Sequence, residues 1–175
     1  MDRETEWIER NDFIGQRGEA IFRAEIMRFG ENGLPYFNPI FLGEKKESIG
    51  FFVEAVGFAF QDPEILVKPY FFVQVKATML GYTRQKKSPR LRVRLSEATV
   101  ERIKRYPAPT YLVGVDVTLG RAFVIVIDAR INGTISTIST LNPLGDLPVL
   151  KCLWKEVGDH WLRNNSRMER SSFTN

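Results

Sequence analysis

The sequence contains a single cysteine, Cys152, and a single histidine, His160. One thiol excludes an internal disulfide framework and a cysteine-based zinc site. One imidazole and one thiol also argue against a Ser-His-Asp or Cys-His hydrolase. No stretch approaches the roughly 18 apolar residues of a membrane-spanning helix. The opening MDRETEWIERND is acidic and polar, so it does not read as a secretory signal. A cytoplasmic protein without a membrane partner is the expectation. Glycine-rich phosphate loops are missing too. Gly114 and Gly120 fit neither G-x-G-x-x-G nor G-x-x-x-x-G-K-[ST].

The 175 residues suit one domain with a substantial core. That domain is expected over residues 1–162, with a polar, disordered tail over 163–175. Charge is modest in total and uneven in place. From Arg84 to Arg105 nine basic residues face two acids, which gives that span +7. The total is +4, so the rest of the chain is −3. A concentrated basic segment suits a phosphate-backbone partner, and a solvated face is the plainer reading.

The element pattern is helix, strands, helix, strands, helix. Asp12 is a good N-cap and Gly30 a good stop for a first helix over Asp12–Phe29, after a frayed or short helical lead-in. Its buried stripe is Gly15, Gly18, Phe22, Ile26 and Phe29, where glycine lets a helix approach a sheet closely. A short strand is expected over Tyr36–Leu42, and stronger ones over Ile49–Phe60, Tyr70–Thr78 and Arg90–Leu95. In R-L-R-V-R-L, alternation puts Arg90, Arg92 and Arg94 on one face. Ser96 caps a helix over Glu97–Tyr106, with Val100 and Ile103 facing inward. TYLVGVDV and RAFVIVID form a hairpin, and Asn132–Gly133 signals another. A last helix runs over Pro148–Leu162. The fold expected is α/β, a central mixed sheet flanked by helices.

One stretch is unusual. FFVQVKAT, Phe71 to Thr78, reads as a buried strand, yet Gln74 and Lys76 share a face of it. Lysine is rarely buried without a partner. Lys76 snorkelling from a strand end, with Gln74 bonded to nearby backbone, is the simplest explanation.

A second explanation comes from resemblance. The segments IGQRGEAIFRAEI (14–26), SIGFFVEAVG (48–57), FFVQVKAT (71–78) and LRVRLSEATVERIKRYPAPTYLVGVDV (91–117) resemble the PD-(D/E)XK, restriction endonuclease-like superfamily. More narrowly, they resemble bacterial domains of the DUF4365 type. The resemblance implies an αβββαβ core with an extra C-terminal helix. It also implies a metal-dependent phosphodiester hydrolase using Mg²⁺ or Mn²⁺, held by carboxylates and amide or backbone oxygens. By motif, Glu19 is the helical acid, Gln74 the amide-oxygen ligand and Lys76 the catalytic cation. Metal ligation then falls to Glu19 and Gln74. Arg84, Lys86, Lys87, Arg90, Arg92 and Arg94 become the nucleic-acid contacts.

One position departs from the family. Its central aspartate begins the strand corresponding to Ile49-Gly50-Phe51, and Gly50 stands there. With Gln74 neutral, only Glu19 brings negative charge, too little for a hard divalent ion. Glu54 lies four residues along the strand, about 13 Å away. Glu44 and Glu47 precede it in a turn. Two functions follow: a nuclease whose missing acid comes from elsewhere, including a homodimer or protein partner, or an inactive nuclease-fold module that binds nucleic acid or a protein. Asp116 and Asp128 read as turn formers, and His160 as structural.

Overall fold

The computed structural model describes residues 3–43, 49–57, 68–84 and 88–163, with side chains from residue 11 onward. The expected 163–175 tail lies outside these residues apart from Arg163. The fold is mixed α/β, with a five-stranded mixed sheet and three helices among the described residues.

Helix α1 spans Arg3–Ile26. It begins well before Asp12, which is exposed inside the helix rather than capping it. Residues 3–11 contain no glycine or proline, so a helix started there propagates through a weak capping signal. Phe22 and Ile26 are fully buried as expected. Phe29 is not. The helix ends at Ile26, and Phe29 is 68 % exposed, bridged to Pro35. Gly18 explains how α1 seats on the sheet: a Cβ there would lie 2.4 Å from that of Ala77.

The main sheet runs β1 (Phe37–Phe41), β2 (Phe51–Ala55), β3 (Tyr70–Thr78), β5 (Thr110–Asp116) and β6 (Arg121–Val126) in that spatial order. All its neighbours are antiparallel except β3 and β5. The parallel pair needs a crossover, which contains β4 (Arg90–Leu95) and α2 (Glu97–Ile103). Ser96 caps α2, its Oγ accepting from the Thr99 N–H at 3.3 Å.

The sequence pattern suggested one sheet; the chain makes two. β4 pairs with β7 (Ile135–Ser139) in a separate ribbon. The arginine face forbids a place inside a sheet covered on both sides. As an outer layer, β4 buries Leu91, Val93 and Leu95 and leaves Arg92 and Arg94 in solvent. Gly114 on β5 makes this packing possible. A Cβ there would meet the Ile138 side chain at 2.3 Å and those of Leu91 and Val93 at 3.1 Å. Asn132–Gly133 does precede a strand, but β7 crosses to β4 instead of pairing back on β6.

Each face of the main sheet thus has its own core. α1 and α3 (Leu147–Leu162) cover one, where Phe22, Phe51, Phe71, Val73, Tyr111 and Leu153 meet. β4, β7 and α2 cover the other, around Leu91, Val100, Ile103, Leu112 and Ile125. α3 is pinned by polar contacts. Trp154 Nε1 donates to Val56 O at 2.9 Å, Trp161 Nε1 to Tyr70 O at 2.8 Å, and the buried Tyr111 hydroxyl to Glu156 Oε1 at 2.8 Å.

Candidate functional site

β3 alternates between the two cores. Phe71 and Val73 point toward α1, and their neighbours toward the α2 and β4 side. On that second face Phe72 is enclosed by Phe52, Tyr70 and Tyr106, with ring centroids 5.1–5.9 Å away. The aromatic cover stops there. Gln74, Lys76 and Thr78 follow on the same face, opposite Leu112, Gly114 and Asp116 of β5.

Lys76 is half-buried, and among the described residues it has no hydrogen-bond or ion-pair partner. The Gln74 side-chain N–H donates to the Val75 carbonyl at 2.8 Å, leaving the amide oxygen without a partner among the described residues. Thr78 is buried, and its hydroxyl accepts from the Leu80 N–H at 3.0 Å, so it holds a turn.

Gly50 lies against this segment, donating its N–H to Val73 O at 3.0 Å and accepting from the Leu42 N–H at 2.9 Å. Among the described residues, a Cβ added to it would meet only Val73 O, at 3.9 Å. Position 50 is therefore beside Gln74, has room for a side chain, and carries none. Glu54 is at the far end of the strand, paired with Tyr70 and accepting from Asn38 Nδ2 at 3.2 Å. It takes no part at the Lys76 end. Glu44, Glu47, Lys86 and Lys87 lie outside the described residues.

Glu19 is half-buried on α1, one residue past the Gly18–Ala77 contact. That contact holds it close to the backbone carrying Lys76. Its helix, however, covers the opposite face of the sheet from Gln74 and Lys76. No three Asp, Glu, His or Cys side chains come together as a metal cluster among the described residues.

Asp116 is an acid on the face of Lys76 and at the same end of the sheet, two residues beyond Gly114. It is 2 % exposed and committed. Its Oδ1 accepts from the Thr118 and Leu119 N–H groups at 2.9 and 3.1 Å. Burial, with the neighbouring Asp116 carboxylate behind it, pushes Tyr82 up to about 12. The turn-former reading of Asp116 holds, and the Tyr82 contact adds what the sequence did not reveal. Asp128 behaves alike, accepting from the Arg130 N–H at 2.9 Å and pairing with its guanidinium.

The basic segment divides by role. Arg84, Arg92 and Arg94 are exposed. Arg90 shares their side of β4 but is half-buried and engaged, with Nε donating to Thr137 Oγ1 at 2.9 Å. It braces the β4–β7 ribbon. Lys104 pairs with Glu101 at 2.7 Å.

At the other end of the main sheet lies a cavity of about 470 Å³, lined by Arg105, Tyr106, Pro109, Thr110, Asp128 and His160 among others. His160 is half-buried, set edge-on to Trp161 at 5.8 Å, and burial lowers its pKa. Compared with known proteins, the chain matches no family model, no curated protein and no solved structure.

Proposed function

We propose that this chain binds nucleic acid as a restriction endonuclease-like protein, with Lys76 contacting a backbone phosphate beside Gln74. The observation that carries this reading is the half-buried side chain of Lys76, whose ammonium has no partner among the described residues. No side-chain nitrogen or oxygen among those residues is both buried and unpaired, so the ammonium reaches the surface and is available to an anion. The surroundings favour a phosphate. Asp116, an acid at that end of the face, is taken up by its turn, and the exposed Arg84, Arg92 and Arg94 provide a field that draws in a polyanion. The order α1, β1, β2, β3, then a crossover through α2 to the parallel β5, supports the nuclease-like core.

Hydrolysis with Mg²⁺ or Mn²⁺ is the second reading, favoured by the amide oxygen of Gln74. Glu19 and Gln74 are the residues that the resemblance gives to the ion. They lie toward opposite faces of the sheet and supply one charge between them, and Gly50 supplies none, so binding without strong metal affinity is the better fit.

The test is anisotropy titration of labelled DNA and RNA at two salt concentrations, with Mn²⁺ cleavage measured alongside. Wild type binds in a salt-sensitive way. Arg92→Glu with Arg94→Glu weakens it and lowers the salt slope by about 0.9 for each duplex phosphate no longer neutralised. Unchanged affinity in that variant removes the arginine face from the interface. Mn²⁺-dependent cleavage by wild type and not by Lys76→Ala establishes the second reading.

A further inference from the structure

We infer that Met79, Leu80 and Leu119 form an apolar knuckle that contacts unstacked bases, so the preferred ligand is single-stranded or locally opened nucleic acid. This rests on the nucleic-acid reading above and specifies its substrate class. Met79 and Leu80 leave the end of β3, immediately after Thr78; Leu119 is in the β5–β6 hairpin. Their side chains are 52, 59 and 59 % exposed. The two loops are neighbours because β3 and β5 are parallel and end together, with Thr78 opposite Asp116.

The apolar tips are held on ordered turns. The Leu80 N–H donates to Thr78 Oγ1 at 3.0 Å, and the Leu119 N–H to Asp116 Oδ1 at 3.1 Å. The Val117 N–H donates to Thr78 O at 3.1 Å, tying the loops to each other. Three large apolar side chains exposed on two loops tied to each other offer a surface for an apolar partner.

The charge around them indicates what. Residues 79–84 and 117–121 carry Arg84 and Arg121, both exposed, and no acid. The Arg92 N–H donates to Gly81 O at 3.0 Å, so the exposed β4 arginine lies against the same loop. Lys76 is two residues before Thr78. Exposed apolar side chains on loops that carry exposed cations, with the nearby Asp116 buried in its turn, suit a partner with flat apolar faces on an anionic backbone. A nucleobase in a closed duplex hides its face in the stack, whereas an unpaired base exposes it to such a wedge.

The experiment compares wild type with a Leu80→Ala, Leu119→Ala double variant on three probes. These are a short DNA duplex, the same duplex with a central mismatched bubble, and its single strand. Both positions are exposed, so the variant keeps the fold, checked by its melting temperature. Wild type prefers the bubble and the single strand, and the variant binds these about fivefold more weakly while its duplex affinity is unchanged. Leu119→Trp strengthens single-strand binding and its fluorescence quenches on saturation. A double variant that loses nothing, or loses equally on all probes, overturns the inference and leaves the nucleic-acid reading standing. Wild type that binds no probe overturns that reading, and the inference with it. A double variant that turns an oligomer into a monomer with unchanged nucleic-acid affinity also overturns the inference, since the knuckle then joins two copies of the chain.

Discussion

Tyr70 and Lys76 stand on one strand in opposite surroundings. The Tyr70 end is closed by partners. The Tyr70 carbonyl accepts from Trp161, its ring lies 4.5 Å from the Trp161 ring and 4.8 Å from Phe52, and the Phe72 N–H donates to Pro109 O at 2.9 Å. At the Lys76 end an ammonium and an amide oxygen are left over among the described residues, and the neighbouring strand is preceded by a glycine that fills no space. Aromatic packing is what a chain uses when stability is the only demand. The Lys76 ammonium is not buried and has no partner among the described residues, so the fold gains little from its charge and it stays available to an anionic ligand.

The largest break in this contrast comes from opening the closed end. Trp161→Ala removes a ring packed on Tyr70 and the N–H that satisfies its carbonyl. It should lower unfolding free energy by about 3 kcal/mol in urea titrations. Nucleic-acid affinity of the remaining folded protein should not change. A smaller effect comes from closing the open end. Gly50→Asp places a carboxylate where, among the described residues, a Cβ meets only Val73 O, at 3.9 Å, so stability without metal should shift by less than about 1 kcal/mol. With Mn²⁺ present the variant should melt higher than without it, by linkage, while wild type should not respond. Equal responses from the two proteins would mean that position 50 does not face Gln74.

Much of this arrangement was legible in the sequence. Tyr70–Thr78 and Arg90–Leu95 were readable as strands because their β-branched and aromatic content coincides with a two-residue period. Ser96 was readable as a cap because the helix pattern starts directly after it. The β4–β7 ribbon was not. Ile135–Ser139 carries only two isoleucines among serine and threonine, and its partner strand lies far earlier in the chain. The start of α1 was obscured by a good capping residue that the helix runs through. At the site, the shared face of Gln74 and Lys76 followed from strand periodicity, and the gap at Gly50 from the family resemblance. The layer that holds Glu19, the commitment of Asp116 to its turn and to Tyr82, and the diversion of Arg90 to Thr137 depend on tertiary contacts no local pattern encodes.

Lys76→Met tests the central claim most directly, with unfolding free energy and nucleic-acid affinity measured on the same preparation. The methylene stem is kept and only the unpartnered charge is removed. The expected result is a protein as stable as wild type, or more stable by up to about 1 kcal/mol, that binds nucleic acid several-fold more weakly with a shallower salt dependence. A variant that is clearly less stable and binds as tightly as before would contradict it, because Lys76 would then belong to the fold and not to a ligand.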